Sequence, residues 1–103
     1  MQVRYAGGTF RTGDRITEAV LAYAASVANV NRAVELEVPI RDIDGNDSHV
    51  LLTIGPASQL AAEPSLADAT ELVDEEFVAT LKGWTEELAR TSGIDPAPQN
   101  ISR

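Results

Sequence analysis

The residues of this chain that could do chemistry sit in three short stretches and on one acidic segment. The first stretch, Gly8-Thr9-Phe10-Arg11-Thr12-Gly13, has the GxxxxG spacing of a phosphate-binding loop and leads into a predicted helix. That chemistry needs Lys and then Ser or Thr after the second glycine, where this chain has Asp14 and Arg15. A carboxylate at the helix start repels phosphate at the place where backbone N–H groups would attract it. The stretch therefore reads as a hairpin turn followed by a helix-breaking glycine.

The second stretch, Asp42-Ile43-Asp44-Gly45-Asn46-Asp47, gathers the oxygens that a hard cation wants. Aligning Gly45 with the invariant glycine of a calcium-binding loop puts Ile40 at the first ligand position and Leu51 at the twelfth, and neither can coordinate. An Asp- and Asn-rich turn explains the same residues. Third comes His49, the only histidine, with Asp47 and Glu37 as carboxylates that could support a general base. No nucleophile or oxyanion donor accompanies it, so it reads as an exposed strand residue. No catalytic, cofactor-binding or metal residues are expected.

The acidic segment runs over residues 68–90, with seven carboxylates against Lys82 and Arg90, a net −5. The pairs Glu75-Glu76 and Glu86-Glu87 resemble two general-acid sites, but on a helix rim they serve as solvating charges. They also form an acidic surface that suits a basic protein partner. On the same segment, Phe77, Leu81 and Trp84 could line a pocket with Tyr23; at helical spacing they read as core.

Composition narrows the classes further. The chain has 103 residues, a net charge of −8 and no cysteine. One domain is expected, without disulfides, thiolate chemistry or Cys-ligated zinc. The acidity argues against direct contact with nucleic acid or an anionic membrane. Residues 1–10 carry no basic segment leading into an apolar core, and no apolar run approaches the ~20 residues of a membrane span, so a cytoplasmic protein is expected. One lysine against seven arginines fits a GC-rich bacterial source.

The elements that must position these residues follow from periodicity. Ile16, Val20, Tyr23, Val27 and Val30 repeat at 4-3-4-3 spacing and predict a helix over about residues 15–30, with Asp14 as its N-cap. Its other side carries Ala19, Ala22, Ser26 and Asn29, without the charge expected of a helix facing water. Val34, Leu36, Val38 and Ile40 alternate with polar residues, as do Val50, Leu52 and Ile54, predicting a hairpin over about 34–54. Both apolar sets must share a face, so paired residue numbers sum to an even number. Centring on Gly45 pairs Ile40 with Val50 and Val38 with Leu52. Pro39 lacks an N–H, which predicts that 34–41 is an edge, or paired on one side near Pro39, and that any N-terminal strand adds beside 49–54.

Residues 2–12, with Gly7-Gly8 between β-prone runs, read as a hairpin or as an irregular arm. Pro56 suits a short helix through about Glu63. Val73, Phe77, Leu81, Trp84 and Leu88 predict a second long helix over about 66–92. It starts either at a Ser65–Asp68 capping box or at Asp74, the latter leaving 70–73 extended. Residues 93–103 read as a flexible tail. The expected architecture is an α+β domain over 1–92, a small antiparallel sheet covered by two long helices.

The functional expectation is a non-enzymatic protein that self-associates as a homodimer. One version uses Ala19, Ala22 and Ser26 on the uncharged helix. The other uses an edge strand, with Val34, Leu36 and Pro39, and Leu51 on the outer sheet face. The alternatives are an acidic binding or inhibitor module for a basic protein, acting through Glu75, Glu76, Glu86 and Glu87, and a small-metabolite binder.

Overall fold

The computed structural model describes residues 1–64 and 72–92, and over them the fold is α+β. Strands β1 (Gln2–Tyr5) and β2 (Gly8–Arg11) form the N-terminal hairpin, with Tyr5 opposite Gly8. The loop is Ala6-Gly7, and Gly8 opens the second strand at a φ of 149°, which a side chain would strain. A Cβ on Gly7 would stand 2.9 Å from the Tyr5 ring, so the turn admits only glycine there without a shift.

Helix α1 (Asp14–Asn29) buries Ile16, Thr17, Val20, Tyr23 and Val27. Its N-cap is Gly13 rather than Asp14, and no side chain caps it. The Thr17 hydroxyl donates to the Gly13 carbonyl at 2.9 Å, while Asp14 sits in the first turn, where the helix dipole favours a negative charge. At the other end Asn31 adopts a φ of 58°. That bend lets Asn31 N–H donate to Ala28 O and Arg32 N–H donate to Val27 O, at 3.0 and 3.2 Å, satisfying the last carbonyls.

Strands β3 (Val34–Arg41) and β4 (Asp47–Ile54) pair antiparallel over their full length. The even-sum rule holds, but the register is two residues from the predicted one: Val38 faces Val50 and Leu36 faces Leu52. The cause is Asp42. Its Oδ1 accepts from the N–H groups of Asp44 and Asn46, both at 2.9 Å, and its own N–H donates to Asn46 O at 2.9 Å. These bonds close a five-residue loop directly after Arg41, with Gly45 at a φ of 85°.

The short helix expected after Pro56 is absent, and a strand, β5 (Ala61–Glu63), takes its last residues. Ser58 turns the chain back instead: its N–H donates to Gly55 O, and its hydroxyl accepts from Gly55 N–H. The released Ala61–Glu63 pairs with β1. Helix α2 (Glu75–Ser92) begins at the later of its two candidate starts, so the range 66–92 is too long at its N-terminal side. Asp74 is the cap, accepting from Phe77 N–H at 3.0 Å, and 72–74 precede the helix without regular secondary structure. The Ser65–Asp68 capping box and the tail 93–103 lie outside the described residues.

The sheet order is β4-β3-β2-β1-β5. The N-terminal hairpin therefore adds beside β3, not β4 as Pro39 suggested, because β2 meets β3 only at Arg11 opposite Arg41. Beyond that pair, the Thr12 hydroxyl donates to Pro39 O at 2.7 Å. The Pro39 carbonyl thus points toward β2, and so does its nitrogen, where no strand needs a donor. The core joins Val3, Phe10, Leu36, Val38, Leu52 and Ile54 of the sheet to Ile16, Val20, Tyr23 and Val27 of α1 and Leu81 of α2.

Candidate interaction surfaces

The stretches with apparent chemistry resolve into structural roles. Gly8–Arg11 is a strand rather than a loop. The Asp42 carboxylate is occupied with backbone N–H groups, and among the described residues no three His, Asp or Glu side chains converge as metal ligands. His49 is exposed on β4 with Pro39 across from it, and Asp47 is held by Arg41 at 3.0 Å. The two carboxylates considered for it are thus separated: one is engaged elsewhere, and Glu37 faces Leu51.

Helix α2 lies alongside α1, and it covers part of the charge-poor side. Ala19 is half-buried and Ala22 exposed, and both line a shallow groove of about 290 Å³ with Val78, Lys82 and Thr85 of α2. Ser26 is half-buried one turn further on. Tyr23 and Trp84 join the two helices with ring centroids 5.8 Å apart. At the other end of the groove, Arg15 clamps Glu75 with two hydrogen bonds of 2.8 and 2.9 Å. Those bonds and the Glu75 charge hold the Arg15 guanidinium above its ordinary pKa.

The strand residues divide differently. Leu36 is in the chain's own core at 4% exposure, and Val34 packs against that core. Pro39 is half-buried beside Thr12. Only Leu51, 64% exposed on the outer face, stands free of the interior. Of the acidic set, Glu75 is engaged with Arg15 and Glu87 with Arg90, while Glu76 and Glu86 are exposed on α2.

Two surfaces went unread in the sequence. One is a hollow of about 1080 Å³ bordered by Tyr5, Ala33, Ile54, Pro56 and Leu60. It depends on where the 55–60 loop travels, which no local pattern encodes. The other is the outer side of β4. Among the described residues nothing pairs with it, and β4 ends the sheet. Because Pro39 O faces β2, the even residues of β3 bond to the even residues of β4, and the N–H and C=O groups of Asp47, His49, Leu51 and Thr53 point outward. Between Ser48 and Ile54 this edge has no charge, no proline and no glycine. The opposite edge is β5, three residues long and carrying the Arg4–Glu63 ion pair.

Among the described residues no helix is long and apolar enough to cross a membrane. Compared with known proteins, this chain matches no family model, no curated protein and no solved structure.

Proposed function

We propose that this chain is a non-enzymatic interaction protein that self-associates, and that its working surface is the outer edge of β4. The observation that carries this reading is the unguarded edge itself: eight residues, uncharged from Ser48 to Ile54, in a chain of net charge −8. Sheet edges left to solvent are ordinarily short, charged, bulged or interrupted by proline, because unpaired N–H and C=O groups recruit another strand. The β5 edge is short and charged, whereas β4 is eight residues long and its charge is confined to Asp47 at its first position.

The helical version of self-association has less support. Part of the charge-poor side of α1 is taken up by α2, which accounts for the composition at Ala19 while Ala22 stays exposed. The acidic-module alternative is weakened by Glu75 and Glu87, whose charges are matched by Arg15 and Arg90. A metabolite-binding role would use the hollow beside the 55–60 loop, where two of the polar lining residues are already engaged, Arg4 with Glu63 and Ser58 with Gly55 N–H.

Sedimentation velocity at micromolar concentration tests the reading. A species larger than the 11.0 kDa chain is expected. The Leu51→Pro variant should return it to monomer, because residue 51 turns its N–H outward and the β3–β4 ladder does not use it. A monodisperse 11.0 kDa protein overturns the reading.

A further inference from the structure

We infer that Arg11 and Arg41 together hold a phosphate group on the open face of the sheet, at the seam between its two halves. The inference depends neither on the β4 edge nor on self-association.

The two arginines face each other as the one ladder pair between β2 and β3. Phe10 lies in the core and Ile40 packs against it, so strand alternation sends Arg11 and Arg41 out on the side away from the helices. Residues directly opposite on paired strands hold their Cβ atoms about 4.5–5.5 Å apart, and like charges placed so repel. Both side chains are half-buried, so water screens that repulsion less than on an open surface.

The chain's own described carboxylates do not neutralise the pair. Arg41 donates to Asp47 Oδ1 at 3.0 Å, but its Nε is buried without a hydrogen-bond partner. Arg11 has one hydrogen bond, to the Asp42 carbonyl at 3.3 Å. Among the described residues no carboxylate stands within ion-pair distance of it. The two carboxylates nearest to hand are occupied, Asp42 by the N–H groups of Asp44 and Asn46, and Glu63 by Arg4.

Arg11 and Arg41 border a hollow of about 670 Å³ with Gln2 and Thr9, whose amide and hydroxyl add neutral donors. A planar carboxylate fills one arginine fork, whereas a tetrahedral phosphate presents three oxygens and can meet both forks at once. It also brings about −1.5 to −2 of charge to two cations. The chain's −8 opposes an anion from afar, but at physiological salt that repulsion is screened beyond about 8 Å, and the contacts here are short.

Titration of isotope-labelled protein with inorganic phosphate, at ionic strength held constant with chloride, tests the site by NMR. Shifts at millimolar phosphate should gather at Arg11, Arg41 and their strand neighbours. Arg11→Gln should weaken binding by about tenfold, the scale of one lost charge-assisted hydrogen bond. Arg11→Lys, which keeps the charge without the fork, should recover only part of that loss. Arg32→Gln, at an exposed arginine outside the sheet, should change nothing. Phosphoserine distinguishes the source: tighter binding than inorganic phosphate assigns the site to a phosphorylated molecule, and weaker or equal binding to the free ion. Absence of shifts around Arg11 overturns the inference, as does equal binding of acetate or full binding by Arg11→Gln or Arg11→Lys.

Discussion

Tyr23 of α1 and Trp84 of α2 meet at a ring-centroid distance of 5.8 Å and a tilt of 49°, and Trp84 keeps 48% of its surface exposed. The pair marks where the helix layer closes over the sheet. Among the residues of α2 whose burial is described, only Leu81 is fully buried, so the helix is anchored chiefly there. Trp84→Ala should cost about 1–3 kcal/mol, less than a buried tryptophan, through lost ring contact and apolar area. Leu81→Ala should cost about 2–4 kcal/mol at a smaller side-chain volume, because it opens a cavity. Urea unfolding of both variants checks the order, and a larger loss at Trp84 would contradict it.

The Arg15–Glu75 clamp ties the first turn of α1 to the first turn of α2. Both partners are largely exposed, so its role is to hold position. The raised guanidinium pKa works in one direction: its contribution is complete at all pH values below the ordinary arginine range and is lost only as pH climbs through the raised value. Glu75→Gln should therefore leave the melting temperature nearly unchanged between pH 6 and pH 9. Hydrogen exchange should speed up at residues 75–78. A large loss of stability would show that the clamp does more than anchor.

Asp74 is a second restraint on the same helix end. Its carboxylate accepts from Phe77 N–H, the third residue of the helix. Asp74→Ala should cost about 1 kcal/mol and Asp74→Ser much less, measured by urea unfolding. Equal losses for the two would show that charge rather than capping matters there.

The same residue shows why some of the fold was legible and some was not. Two capping signals, at Ser65 and Asp74, were equally good locally, and periodicity from Val73 onward could not choose between them. The Val34–Ile40 and Val50–Ile54 alternations fixed which faces share the core, since a one-residue slip would turn Val38 or Leu52 outward. They could not choose among even sums. That choice was made by Asp42, whose Oδ1 holds two backbone N–H groups and closes the loop early. At three residues β5 is too short to show a period, and its existence depends on β1 having a free side. The interaction surface was the hardest to read, because whether β3 or β4 ends the sheet depends on the side on which β2 joins. Pro39 excluded a donor at one position only, and β2 needs none there.

Asn31 permits a test in the opposite direction, toward stability. Its φ of 58° lies where an ordinary side chain is strained, and asparagine tolerates it better than most. Asn31→Gly should leave stability unchanged or raise it by about 0.5 kcal/mol, whereas Asn31→Val should lower it by about 1–2 kcal/mol. Thermal unfolding of the pair measures the difference. Equal effects would mean that the helix ends without using that conformation.

The seam between β2 and β3 offers the sharpest mechanical test. One ladder pair, Arg11 with Arg41, joins the N-terminal hairpin to the long hairpin, and the buried Thr12 hydroxyl reinforces it through Pro39 O. Thr12 also donates its backbone N–H to Met1 O at 3.1 Å, so it faces both halves of the sheet at once. Thr12→Val keeps the shape of the side chain and removes only the hydroxyl, leaving the Pro39 carbonyl without that donor. The expected cost is about 1–2 kcal/mol. Because the long hairpin is closed by its own β3–β4 pairing, the loss should be local. Hydrogen exchange should accelerate in β1, β2 and β5 while β4 keeps its protection, as expected if the sheet opens along this line. Uniform acceleration across all five strands would mean that the two halves unfold as one unit and that the single ladder pair is not where the sheet is weakest.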